Sequence, residues 1–151
     1  MRKALNEQFL LGALALSCAT LFIACQSTPK RTHAELRRLQ GDWEGFQQGA
    51  TNKLSIKITG NSLHFYGGTN FWFNTTFTLP AGTEPQQLRA TINEAPPSDT
   101  NSIGQVVVAI FKIEDETLIL AVKGEEPPDA FPSGLDTNSP IARYDFKKVQ
   151  P

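Results

Sequence analysis

The sequence predicts an all-β fold, an eight-stranded antiparallel up-and-down barrel preceded by one short helix. Beyond residue 41, apolar residues recur at every second position in segment after segment, which is the period of a half-buried strand. Most of these segments are joined by short turns containing glycine, proline, asparagine or aspartate. Consecutive hairpins of this kind close most simply into an up-and-down barrel. A two-sheet sandwich built from the same strands is the alternative.

A short helix is predicted directly before the first strand. Thr32 and Glu35 have the spacing of a capping box, in which the threonine caps the helix and the glutamate reaches back to it. Leu36 and Leu39 would form the apolar face of this helix, and Gly41 would end it.

The alternation then predicts eight strands and assigns a face to each residue in them. Strand 53–59 is the clearest, because its leucine and isoleucines face one way and its polar residues the other. Strand 105–113 is apolar at nearly every position, so we expect it either to be covered on both sides or to lie where the barrel is most closed. The long connections 94–104 and 124–140 are expected to be rim or lid loops. The remaining predicted strands are 42–48, 62–66, 71–79, 87–93, 117–123 and 141–149.

The first 25 residues have the anatomy of a bacterial secretory signal that ends at a lipid-modified cysteine. A positive start is followed by an uncharged, mostly apolar run over 9–24, and Ala24 stands directly before Cys25. Phe22 stands where the usual motif has leucine, and Cys18 is a lesser candidate for the lipid. The 16-residue run is short for a membrane-spanning helix, so an uncleaved anchor is the weaker alternative.

These features predict a domain organisation and a cellular location. We expect a lipoprotein signal peptide over 1–24, a tether over 25–34 and the barrel domain over 35–151. Cleavage would remove Cys18, so no disulfide could form within the mature chain. The mature chain would reach the membrane through acyl chains such as palmitate on Cys25, and Gln26 after the cysteine favours the outer membrane of a bacterial cell envelope.

Composition argues against one class of partner. Loss of Arg2, Lys3 and Glu7 with the signal would change the net charge from −1 to −2. A chain of that charge has no general basic field with which to collect nucleic acid. We therefore expect no nucleic-acid partner.

Residues 39–43 carry a resemblance to a known family. Leu39-Gln40-Gly41-Asp42-Trp43 is a Leu-x-Gly-x-Trp opening between a short helix and a β-meander, and it resembles a bacterial lipocalin-like domain family. The resemblance covers about residues 35–149 and implies a lipocalin-like barrel in a secreted or lipid-anchored protein. In lipocalins an arginine near the last strand lies over the tryptophan. Arg143 is the candidate for this structural cation–π pair with Trp43.

Ligand binding is the function that such a barrel favours. The predicted inner faces contain six apolar residues that could line a pocket open at one end. The alternative is that they simply fill a small core, and that the protein is an interaction or inhibitor module for another envelope protein. Trp72, on the opposite face, would then mark a partner surface unless a loop covers it. The six candidate ligand-binding residues are Phe65, Phe71, Phe73, Phe77, Ile92 and Leu120.

The sequence offers little for catalysis or metal binding. His33 and His64 are its two histidines, and no ligand spacing typical of zinc is present. It contains no nucleophile elbow, phosphate-binding loop or dinucleotide fingerprint. The carboxylates at 114–116 are interpreted as a hairpin turn, and those at 125, 126 and 129 as a solvated loop. We expect a protein that is not an enzyme and has no cofactor or metal.

Overall fold

A computed structural model describes residues 29–123, 131–135 and 141–150. Its strands form a closed antiparallel barrel in which each strand pairs with its neighbours in sequence and β1 also pairs with β8, so the predicted fold is confirmed. The predicted signal peptide, Cys18 and Cys25 lie outside the described residues. The elements are α1 (Pro29–Leu39), β1 (Gly41–Gln47), β2 (Lys53–Thr59), β3 (Ser62–Gly68), β4 (Phe71–Thr78), β5 (Gln86–Glu94), a 3-10 helix (Pro97–Ser102), β6 (Val106–Glu114), β7 (Thr117–Lys123) and β8 (Ile141–Lys148).

The up-and-down order gives the barrel two different ends. One end, here called the helix end, carries α1 and the β2–β3, β4–β5 and β6–β7 connections. The opposite end, here called the mouth, carries the β1–β2, β3–β4, β5–β6 and β7–β8 connections.

The helix begins earlier than predicted. It starts at Pro29, so Thr32 lies inside α1 and does not cap it. Proline has a fixed φ and no N–H, which suits the first position of a helix. The Glu35 carboxylate pairs with Arg38 at 3.1 Å instead of reaching back toward Thr32. The capping-box prediction was therefore wrong, although the helix itself is present.

The end of α1 closes the helix end of the barrel. The Trp43 side chain is fully buried, and its Nε1 donates a hydrogen bond to the Leu39 carbonyl oxygen at 2.8 Å. Arg38 Nη2 donates to the Ile113 carbonyl oxygen at 2.6 Å. These bonds satisfy carbonyl groups that would otherwise be left unpaired at the end of the helix and on β6.

A glycine permits the closure between the first and last strands. Gly45 on β1 pairs with Phe146 on β8. A Cβ atom at Gly45 would lie 1.9 Å from the Asp145 carbonyl oxygen and 2.7 Å from the Phe146 Cα. No larger residue fits without moving the backbone of β8.

Strand β6 is buried on both faces, as predicted. Val108 and Ile110 face outward, opposite Ala109 and Phe111, yet all four are buried. Phe131 lies on this outer wall, with its ring centroid 5.6 Å from the Arg89 guanidinium carbon. In the described part of the 124–140 connection, the Phe131 ring therefore lies against the outside of the wall and not across the mouth. Residues 124–130 and 136–140 lie outside the described residues.

Candidate functional site

A cavity of about 260 Å³ lies inside the barrel on the side of the mouth. Seven of the eight strands contribute to its wall, and β1 does not. Twelve of the fourteen lining residues are apolar. The lining residues are Ile56, Leu63, Phe65, Phe71, Phe73, Thr75, Leu88, Ala90, Ile92, Val107, Ala109, Leu120, Val122 and Tyr144.

Five of the six predicted pocket residues line this cavity. They are Phe65, Phe71, Phe73, Ile92 and Leu120. The sixth, Phe77, does not line it and is only 1% exposed, within the packed core. Phe77 lies at the helix end of β4, whereas the cavity lies toward the mouth. Its inclusion was wrong because strand alternation gives the face of a residue but not its depth along the barrel.

Aromatic rings form one side of the cavity. The centroid of Phe71 lies 5.3 Å from that of Phe65 and 5.6 Å from that of Phe73, both in edge-to-face geometry. Phe65 also meets Tyr144 edge to face at 5.9 Å. Gly67 leaves room for this arrangement, because a Cβ there would lie 2.5 Å from the Phe71 ring. Such pairs each contribute about 0.5–1.5 kcal/mol beyond the burial of their area, so the wall is preorganised.

The cavity contains two polar side chains, and only one has a hydrogen-bond partner. Thr75 Oγ1 donates to the Leu63 carbonyl oxygen at 3.0 Å. Tyr144 makes ring contacts, but its hydroxyl has no hydrogen-bond partner among the described residues. Burial raises the pKa of this phenol above its ordinary value of 10.0, because it disfavours the phenolate. Sequence reasoning missed Tyr144, although the alternation of 141–149 places it on the same face as Phe146.

The predicted pair of Trp43 with Arg143 is wrong. Lys148 takes that position, with its Nζ 5.2 Å from the Trp43 ring centroid. Trp43 pairs with Lys148 in the β1–β8 register, whereas Arg143 lies five residues nearer the mouth. Arg143 instead forms an ion pair with Asp145 at 3.1 Å. Trp43 itself is fully buried at the helix end.

Trp72 lies on the outer face, as predicted, but in a half-buried position. Its ring centroid is 6.3 Å from that of His64, and Tyr66 is its cross-strand neighbour. Several large apolar side chains are also exposed near the mouth. They are Phe46, Tyr66, Phe71 and Ile103, each between 44% and 49% exposed.

The carboxylates at 115 and 116 lie in the turn between β6 and β7. Asp115 and Glu116 both have positive φ, as in the two-residue hairpin turn that was predicted there. Within residues 29–123, 131–135 and 141–150, no three His, Cys, Asp or Glu side chains are grouped so as to hold a metal ion. The same residues contain no helix with the length and apolar character needed to cross a membrane. Glu125, Glu126 and Asp129 lie outside the described residues.

No protein-family model matches the chain, and searches of curated proteins and of solved structures find no significant match. The lipocalin-like resemblance therefore stays an expectation from the sequence. What the barrel can bind follows from the size and chemistry of its own cavity.

Proposed function

We propose that this chain is a non-catalytic binding protein that holds one small apolar or amphipathic molecule in the cavity of its barrel. The observation that carries the proposal is the 260 Å³ cavity with its almost wholly apolar wall. An eight-stranded barrel is just wide enough to hold one small ligand. The volume lies slightly below the ~300–1,000 Å³ of typical ligand pockets, which favours a small molecule over a lipid with long chains.

The sharpest test narrows the cavity with one substitution. Val107 lines it near the mouth, so Val107→Phe should fill part of the space and abolish binding. Val106→Phe is the matched control, because it adds the same volume to the outer face of the same strand. Binding can be followed by NMR through the methyl groups of Ala90 and Ala109, which line the cavity, with Ala121 outside it as the reference.

The ligand itself can be sought by native mass spectrometry. The purified full-length protein would be incubated with a bacterial envelope lipid extract, and a retained small molecule is expected. Retention by the Val106→Phe variant and loss by the Val107→Phe variant would support the cavity as the site. If neither the extract nor small apolar probes move the Ala90 and Ala109 methyl signals, the proposal is wrong.

We also propose that the protein is anchored at the bacterial cell envelope through lipid on Cys25 and is directed by Gln26 to the outer membrane. The signal-like sequence supports this placement. Only four peptide bonds separate Cys25 from the start of α1, which bounds their separation at about 14 Å. Because α1 leads to the helix end, the anchor would hold that end near the membrane. Intact mass after detergent extraction should show the acyl chains and the loss of 1–24, and Cys25→Ala should release the protein from membranes.

A second candidate is a protein-interaction or inhibitor module of the envelope. The observation that favours it is the group of exposed apolar side chains near the mouth, with Phe46 at 47% and Ile103 at 49%. Such side chains suit a partner surface. Phe46→Ser would then weaken capture of an envelope protein, whereas Val107→Phe would leave that capture intact. If Val107→Phe instead abolishes binding of a small ligand and Phe46→Ser leaves that binding intact, the results favour the binding protein.

A further inference from the structure

Tyr144 lines the cavity and carries one of the two polar groups in its wall. The other polar side chain in the wall, Thr75, already donates its hydrogen to a carbonyl oxygen. Tyr144 has no such partner among the described residues, and no described buried polar atom is both inaccessible and unpaired. Its hydroxyl is therefore accessible as well as unpaired. A ligand that fills this apolar cavity would shield the hydroxyl from water, so a ligand that accepts its hydrogen bond avoids the cost of leaving it unpaired.

The size of the cavity limits what can sit beside this hydroxyl. A cavity of about 150 Å³ in another protein accommodates benzene. At about 260 Å³ the present cavity has room for one ring and a short substituent. The edge-to-face rings of Phe65, Phe71 and Phe73 also present the surfaces that another aromatic ring prefers.

The charge of the wall excludes ionic ligands. None of the fourteen lining residues is charged, so an ionised ligand would be desolvated without an opposite charge beside it. A protonated Tyr144 hydroxyl also suits a neutral acceptor such as a carbonyl oxygen.

We infer that the cavity binds a neutral, single-ring aromatic molecule whose one hydrogen-bond acceptor pairs with the Tyr144 hydroxyl. This inference rests on the proposed function, because it names the ligand class of the same site.

Four probes of closely matched size test separately the hydrogen-bond acceptor, the neutral charge and the aromatic ring. Acetophenone has the ring and a carbonyl acceptor, isopropylbenzene lacks the acceptor, benzoate is charged, and cyclohexyl methyl ketone lacks the aromatic ring. The dissociation constant of each would be measured on the full-length protein by the alanine-methyl titration. We expect benzoate to bind at least about tenfold more weakly than acetophenone. We expect the cyclohexyl ketone to bind about threefold more weakly.

The decisive comparison uses the two tyrosines of the chain. Tyr144→Phe should weaken acetophenone about three- to tenfold and leave isopropylbenzene within about twofold, because only the ketone uses the hydroxyl. Tyr66→Phe is the matched control, since Tyr66 lies on the outer face and does not line the cavity, and it should change neither constant.

The outcomes distinguish the two proposals. If none of the four probes binds and the envelope lipid extract also leaves the Ala90 and Ala109 methyl signals unchanged, the proposed function is wrong. If both bind and Tyr144→Phe changes their constants equally, the function stands and the role of Tyr144 is overturned. Equal binding of acetophenone and the cyclohexyl ketone would overturn the preference for an aromatic ring, and tight binding of benzoate would overturn the restriction to neutral ligands.

Discussion

Tyr144 links the ionisation of one side chain to the stability of the barrel. Its phenol is neutral when protonated, and burial raises its pKa in the folded state above the ordinary value of 10.0. In the unfolded chain the same group loses its proton near pH 10. Above that pH, ionisation of the phenol therefore stabilises the unfolded state before it stabilises the folded state. The contribution of Tyr144 is fully present below about pH 10 and is lost as the pH rises toward the folded pKa.

We predict that the unfolding free energy falls more steeply with pH in the wild-type protein than in Tyr144→Phe from about pH 10 upward. One proton gives a slope of at most about 1.4 kcal/mol per pH unit, and the partial exposure of Tyr144 should keep the observed difference below that limit. Denaturant unfolding of both proteins across this range measures it. A difference between them that stays constant with pH would contradict the prediction.

The pairing of β1 with β8 is the element-scale step that closes the barrel, and it depends on Gly45. We predict that Gly45→Ala lowers the unfolding free energy by about 3 kcal/mol or more, because the added Cβ meets the backbone of β8 and not a flexible side chain. Gly60→Ala is the control, since Gly60 has φ +59° but no atom near the added Cβ. Its cost should be about 1–2 kcal/mol, from the left-handed backbone alone.

Denaturant unfolding of both glycine variants measures two costs. Gly45→Ala reports the clash with the backbone of β8, and Gly60→Ala reports the cost of the left-handed backbone alone. Amide hydrogen exchange adds where the structure opens: faster exchange in β1 and β8 is expected for Gly45→Ala, and not for Gly60→Ala. Equal destabilisation of the two variants would show that the contact with Asp145 and Phe146 does not limit the closure.

The sequence predicts an element correctly where the signal lies in neighbouring residues. Predictions failed where the answer depends on how the barrel closes. Alternation in β2 and β4 identifies strands and inward faces from a few neighbouring residues, and short turns then determine the strand order. The choice of Lys148 over Arg143 depends on the β1–β8 register, which joins segments about a hundred residues apart. Likewise Phe77 has the predicted face but the wrong depth, because depth follows from where α1 closes the barrel.

At the scale of the whole molecule, packing is unequal between the two ends. Trp43, Phe146 and the end of α1 fill the helix end, whereas the barrel leaves about 260 Å³ unfilled toward the mouth. Unfilled space forgoes dispersion and burial that a larger side chain would supply. A cavity kept for a ligand therefore lowers the stability of the free protein, which is a trade-off between stability and function.

Val107→Phe tests whether the cavity is empty, because the sign of its effect on the unfolding free energy differs between an empty and a filled interior. If the cavity is empty in the unliganded protein, the added ring packs against apolar neighbours and should raise the unfolding free energy by about 0.5–1.5 kcal/mol. If the interior were already filled, the same substitution would overpack it and lower stability by about 1–3 kcal/mol. Val106→Phe, with its side chain on the outer wall, corrects for the change of residue type within β6. A variant that is more stable yet cannot bind acetophenone would show that the barrel keeps this space for a ligand at the expense of its own packing.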